Sequence, residues 1–296
     1  MKIKDDNYMK WFRLIAFVVI LLTTLVCLFP FLLIISASFT QNESIIKDGY
    51  NLIPTVFSLE GYQTVFRFPK QVLQAYGVTT IVTIIGTTLG LFFMTMAGYV
   101  LQRKDFKYRN FFSFMIYFTT LFGGGLVPWY IMMTKYLKLT DTLTVLIFPG
   151  LMTPFLIILM KNFIRSAVPD EVIESAKIDG ANDFTIYSRI VLQLSMPGIA
   201  TVGLFLALQY WNDWFTSSLF INDPSKYQLQ YYLYNVINAM SFIAQMGAGT
   251  GVSIGDMPTE STKMAMSVVV TGPILFLYPF VQRYFVKGLT IGAVKG

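Results

Sequence analysis

Residues Pro169 to Pro197 read PDEVIESAKIDGANDFTIYSRIVLQLSMP, a polar and charged stretch set between two long apolar runs. Pro169 suits the first position of a helix, where its missing N–H costs nothing, and Asp170 and Glu171 place negative charge against the positive end of the helix dipole. Glu174 and Ala176 to Ile178 continue that helix, and Asp179-Gly180 punctuates it, because a glycine just past the last helical residue adopts the left-handed conformation that closes a helix. A second helical segment follows, with Phe184, Tyr187, Ile190 and Val191 recurring at three- and four-residue spacing until Pro197 opens the next apolar run. The stretch therefore predicts a helix-turn-helix elbow outside the lipid, and its flanks predict spans within it.

Composition agrees independently. Of 296 residues, 55% are hydrophobic and 13% charged, about half the charged fraction of a soluble domain. The expected fold class is an all-α integral membrane protein, one transmembrane domain over residues 1–296 with no room for a soluble domain of any size. The single Cys27 lies in an apolar run, so no intramolecular disulfide is possible, and it reads as a small buried hydrophobe. Histidine is absent, which removes the commonest general base and metal ligand and argues against an intramembrane hydrolase. Neither catalytic nor metal-ligating residues are assigned.

Six spans are expected, at about 14–37, 78–100, 111–134, 143–160, 199–221 and 264–281. The first is 24 uncharged residues, too long for the apolar part of a signal peptide and without a clean cleavage pattern, so it reads as uncleaved. Gly49, Pro54, Gly61 and Pro69 read as breakers in the connection that follows. Gly123, Gly124 and Gly125 in the third span cost about 1 kcal/mol each against Ala, so a kink or a close helix contact is expected there. They are a poor phosphate loop, since no Lys-Ser/Thr pair follows. Residues 222–263 read as a long Tyr-rich connection.

Charge sets orientation. With the N-terminus inside, 15 basic residues fall in the inner segments and 7 in the outer ones, although the outer set is longer. Both termini and the elbow, lying between the fourth and fifth spans, are then cytoplasmic. The net charge of +6 is explained by topology, and a nucleic-acid partner is unnecessary.

ESAKIDGA at Glu174 to Ala181, followed by Tyr187, Ile190 and Pro197, resembles the cytoplasmic EAA loop of ABC-type carbohydrate import permeases, the branch that includes the maltose permeases. Ser175 replaces the usual first Ala and Gln193 stands where Pro is common. The tail QRYFVKGLTIGAVKG also resembles the end of such chains. The resemblance implies that Glu174, Ala176, Asp179, Gly180 and Ala181 couple the chain to an ATPase subunit, the loop 169–197 docking in its groove. It also implies a second homologous permease chain, two ATPase subunits carrying ATP and Mg2+, an extracytoplasmic solute-binding protein, and residence in a bacterial cytoplasmic membrane. This chain has no GxxxxGK[ST] loop, so it hydrolyses no ATP itself and binds no cofactor. The residue pattern alone fits a solvated interfacial helix equally well.

GGGLVPWYIMMTKY and VPDEVIESAKIDGA look most like the branch handling polysaccharide-derived oligosaccharides, including pectin- and uronate-derived ones. An ABC permease for another solute is the alternative, and a self-contained secondary transporter a more distant one, since no repeat is evident. For the substrate path the candidates are Trp211, Asn212, Asp213 and Trp214, within QYWNDWF. A carboxylate inside a span is costly unless it faces protein or water, and two indoles with amides offer the flat faces and hydrogen bonds that sugar rings require. An interfacial Trp belt, with Asn212 and Asp213 bridging to the partner permease, is the competing reading.

Overall fold

The computed structural model describes residues 7–67, 69–250 and 259–273. The tail from 274 onward, with the end of the sixth expected span, lies outside the described residues. In chain order the helices are α1 (Asn7–Ser38), α2 (Asn42–Asp48), α3 (Glu60–Val65), α4 (Pro69–Gln102), α5 (Arg109–Leu121), α6 (Leu126–Ile131), α7 (Leu143–Ile147), α8 (Pro154–Ala167), α9 (Asp170–Ile178), α10 (Asp183–Ile186), α11 (Leu192–Leu194), α12 (Met196–Trp211), α13 (Phe215–Phe220), α14 (Leu229–Thr250) and α15 (259–273). Among the described residues there is no strand, only an isolated bridge between Thr40 and Phe57. The chain divides into two compact units, Met1–Pro69 with Asn235–Gly272 and Lys70–Tyr234 with Pro273–Gly296.

In the first unit, α1 carries a long apolar surface that the other described residues leave uncovered, Cys27 included, in contrast to the burial expected for that thiol. A helix whose surroundings are lipid or another subunit has no need of cover from its own chain. Contacts within the unit begin at its end. Ser38 Oγ lies 2.9 Å from Tyr62 Oη, Phe39 stacks on Phe57, and Asn42 Oδ1 accepts from the Glu260 amide at 2.8 Å. Two of the residues read as breakers sit inside helices: Gly61 within α3 and Pro69 as the first residue of α4. A proline at that position forfeits no helical hydrogen bond, so α4 reaches nine residues further back than the expected start at 78.

In the second unit the core is built from Val82 and Met94 of α4, Ile157, Met160 and Ile164 of α8, and Val202 and Leu206 of α12. Tyr210 is driven into this core so closely that a Cβ on Gly86 or Gly150 would stand 2.5 Å from its ring or hydroxyl. Its hydroxyl donates to the Ile147 carbonyl at 2.7 Å, satisfying the one polar atom that so large a buried side chain brings with it.

Among the described residues, α1 and α4 are each long and apolar enough to cross a membrane unbroken, and three further helix pairs meet the test only as bent pairs. The glycine run breaks the third expected span outright: α5 and the helix from Leu126 to Tyr136 meet at 111°. Gly125 has φ +87° there, and the glycines make no close helix contact. A bend of 48° around Pro149 and Pro154 divides the fourth. The fifth is interrupted after Trp211, where the Asn212 amide turns back to the Leu208 carbonyl at 2.9 Å and Asp213 Oδ1 accepts from the Thr216 N–H at 3.0 Å to begin α13. Short polar side chains compete with the helical ladder in this way. The segment expected as a long connection over 222–263 contains α14, 22 residues of helix, and the start of α15.

Candidate functional site

The elbow forms as a helix-turn-helix unit with its own lock. Helix α9 starts at Asp170, one residue later than the sequence suggests, with Pro169 in extended conformation before it. At its other end Gly180 adopts φ +83°; its N–H donates to the Lys177 carbonyl at 3.0 Å and the Ala181 N–H to the Ala176 carbonyl at 2.9 Å. These two bonds are the paired closure of a Schellman motif, and Ala176 and Ala181, the residues that such a motif brings together, both pack against the core. Asn182 then caps the next helix, its side chain accepting from the Thr185 N–H at 2.8 Å.

The two arms are anchored unequally. Ile173 is the one buried residue of α9, whereas Ile186, Tyr187 and Val191 of the second arm all enter the core. Tyr187 Oη meets Thr95 Oγ1 of α4 at 2.7 Å. A π-helical turn over Tyr187–Val191 shifts the helix phase, so Phe184, expected on the inward stripe, is 66% exposed while Ile186 is buried in its place. Ile178, at the corner, is 85% exposed. Glu174 and Asp179 are exposed as well, and Glu174 makes no ion pair among the described residues.

Ion pairs tie the elbow to the basic turn between α4 and α5. Arg103 bonds Asp105 within the turn and Asp183 at the head of α10. Asp105 also receives Lys177 Nζ at 2.8 Å, and Lys104 pairs with Asp170 at 2.6 Å. Arg103, followed by Lys177, holds the Asp105 carboxyl well below the usual carboxylate range, and Asp105 in turn raises the Arg103 guanidinium. In the sequence the turn reads as a topology signal alone. Its second role is hidden because Arg103 and Asp183 are 80 positions apart, and Asp105 and Lys177 72, so that they meet only in three dimensions.

Of the four path candidates, the structure groups three. Trp211 is buried at 8% exposure, whereas Asn212 and Trp214 are exposed and Asp213 is half-buried. Two residues outside the motif join them: Tyr234 stacks on Trp214 with ring centroids 4.8 Å apart, and Gln230 Nε2 donates to Asn212 Oδ1 at 3.2 Å. Tyr231 and Tyr227 continue the aromatic row. Beneath it, Gln228 is fully buried, donating to the Tyr210 carbonyl at 3.1 Å and accepting from Ser217 Oγ at 2.9 Å. The clustering of tyrosines over 227–234 marks a Tyr-rich connection in the sequence, but not that a helix carries it to Trp214.

Residues 94–291 match the family described as binding-protein-dependent transport system inner membrane component. The chain is 38% identical over 97% of its length to the polygalacturonan/rhamnogalacturonan transport system permease protein YtcP of Bacillus subtilis, covering 99% of that protein. It is 28% identical to the arabinooligosaccharides transport system permease protein AraQ of Halalkalibacterium halodurans, with both chains covered in full. Among solved structures, a chain from a bacterial ABC transporter involved in the import of the acidic polysaccharide alginate superposes with a TM-score of 0.81 at 26% identity, over 95% of this chain and 98% of that one.

Proposed function

The chain belongs to the binding-protein-dependent transport system inner membrane components, and we propose that it forms half of the translocation pathway of an ATP-driven importer for acidic oligosaccharides derived from plant or algal polysaccharides. It is a membrane permease working with other ABC components, and its role is conduction and coupling rather than chemistry. The partners in this reading are a second homologous permease chain, two ATPase subunits and an extracytoplasmic solute-binding protein. The substrate class is supported by relatives named for polygalacturonan and rhamnogalacturonan transport and by the alginate importer.

One observation carries the coupling role: an elbow fixed by a Schellman closure and three ion pairs nevertheless presents bare Ile178 and Phe184 beside Glu174, which makes no ion pair among the described residues. Exposed apolar groups on a rigid, charged projection are the anatomy of a docking knob. Glu174 pairs in this reading with a basic group of the ATPase, and the ion-paired elbow passes that subunit's motion into α12. At the other end of α12, Asn212, Asp213 and Trp214, joined by Gln230 and Tyr234, contact sugar. Glu174→Lys is expected to abolish uptake and sugar-stimulated ATP hydrolysis while the permease still inserts. Retention of both by the assembled variant would remove the docking role.

A further inference from the structure

A cavity of about 350 Å3 opens in the second unit between the start of α5, the last turns of α8 and the first turn of α9. That volume is at the small end of the ~300–1,000 Å3 of ligand sites. Its wall gathers Lys104, Arg109, Lys161 and Arg165, with Asp170 and Glu171 as its acidic members. Lys104 and Asp170 neutralise each other as an ion pair. Three cations then face one carboxylate. Each of the three keeps capacity to spare: Lys161 gives one N–H to Ser113 Oγ at 2.8 Å, Arg109 one to the Arg103 carbonyl at 3.3 Å, and Arg165 makes no ion pair among the described residues. Arg109 and Arg165 also repel the Lys161 ammonium, so the cluster is held together against its own charge. Gln102, at the same wall and 8% exposed, has its Nε2 buried without a hydrogen-bond partner. An unmatched positive field and an orphaned donor are both answered by an anion with several acceptor oxygens.

The position of the cavity selects the kind of anion. Immediately beyond Arg109 and Asn110, α5 presents exposed Phe111, Phe112 and Phe114. The cations thus sit where apolar, lipid-facing surface begins, which is the depth of a phosphodiester whose acyl chains lie along α5. Basic pockets between spanning helices take anionic headgroups in this way. We propose that this cavity binds the phosphate headgroup of an anionic phospholipid, bridging α5 and α8 to the foot of the elbow. The site is independent of which sugar is carried and requires only that the chain is embedded in a membrane.

The test is native mass spectrometry of the purified transporter complex equilibrated with mixed phosphatidylglycerol and phosphatidylcholine. The wild type is expected to retain phosphatidylglycerol preferentially. Each of Arg109→Gln and Arg165→Gln should weaken that preference about fivefold, the effect of one basic residue near an anionic surface, and Arg165→Lys should restore most of it. If Arg109→Gln fails to assemble, Arg165→Gln alone carries the reading, since Arg165 lies on an exposed helix face. Unchanged preference in Arg165→Gln would overturn the site. A second arm uses protection of the arginines from phenylglyoxal: protection by phosphatidylglycerol vesicles supports the lipid assignment, and protection by inorganic phosphate alone would overturn it in favour of a soluble anion.

Discussion

The two ends of α12 are fastened by different chemistry. They lie about 24 Å apart by helical rise over its 16 residues. At the elbow end the links of the first arm are surface ion pairs, Lys177 to Asp105 and Lys104 to Asp170, with Arg103 joining Asp105 to Asp183, and the second arm adds one buried bond, Tyr187 to Thr95. At the other end they are buried and neutral: Tyr210 to the Ile147 carbonyl, Gln228 to Ser217 and to the Tyr210 carbonyl, and Thr79 accepting from the Leu229 N–H at 2.8 Å. Exposed pairs contribute about 0.2–1 kcal/mol each, whereas a buried group stripped of its partner costs about 1–3 kcal/mol. The contrast shows where motion is cheap. The first arm, α9, held by weak, water-exchangeable contacts and one buried side chain, can be shifted by a partner at little cost, while the second arm and the far end keep their packing.

The largest expected effect tests the rigidity of the elbow itself. Gly180→Val places a β-branched residue at φ +83°, a strain of about 1–3 kcal/mol, so uptake should fall by at least about tenfold. Gly180→Asn, which tolerates that conformation, should recover much of it. Equal loss in both variants would mean that the site needs the absence of a side chain and not the left-handed turn. Next comes the buried end. Gln228→Leu strips hydrogen bonds from Ser217 and the Tyr210 carbonyl, and thermal unfolding of the purified complex should show a loss of about 1–3 kcal/mol.

Trp214→Ala removes the face that Tyr234 stacks on, an interaction worth about 0.5–1.5 kcal/mol. Half-maximal uptake should need several-fold more oligosaccharide, with assembly and basal ATP hydrolysis unchanged; an unaltered concentration dependence would take the aromatic row out of the sugar path. The smallest effect is expected for Asp105→Asn, which weakens the links to Arg103 and Lys177. Because the folded protein lowers the Asp105 pKa, its contribution is complete above the unfolded value of about 4 and lost only as pH falls below that. Uptake in the wild type should therefore be flat from neutral pH down to mildly acidic pH but decline with added salt, and the variant should lose part of that salt sensitivity. A wild type indifferent to salt would erase the distinction between the two ends.

Legibility varied with the range of the interaction. The elbow is visible because its determinants are local: first-turn acids at Asp170 and Glu171 and a closing glycine at Gly180. The helix over 229–250 was missed because tyrosine, glycine and polar residues suit a connection as well as a helix, and burial of Gln228 and Leu229 decides between them. Trp211 and Trp214 looked alike in QYWNDWF, yet one is buried and the other is exposed on a Tyr234 stack. The break after Trp211 sets them apart, and it depends on Asn212 and Asp213 turning their side chains to the backbone.

The chain's sequence alone determined that it is a helical membrane protein, where its elbow turns and which kind of transporter it resembles, since apolar run length, charge asymmetry and capping chemistry act within a few residues of one another. The tertiary structure alone decided that the basic turn clamps the elbow, that Tyr210 is locked against Gly86 and Gly150, and that Gln230 and Tyr234 complete the aromatic surface. Each of these joins groups distant in sequence, and their partnership is fixed by packing, which selects one pairing among many that the charges and rings would allow in an unfolded chain.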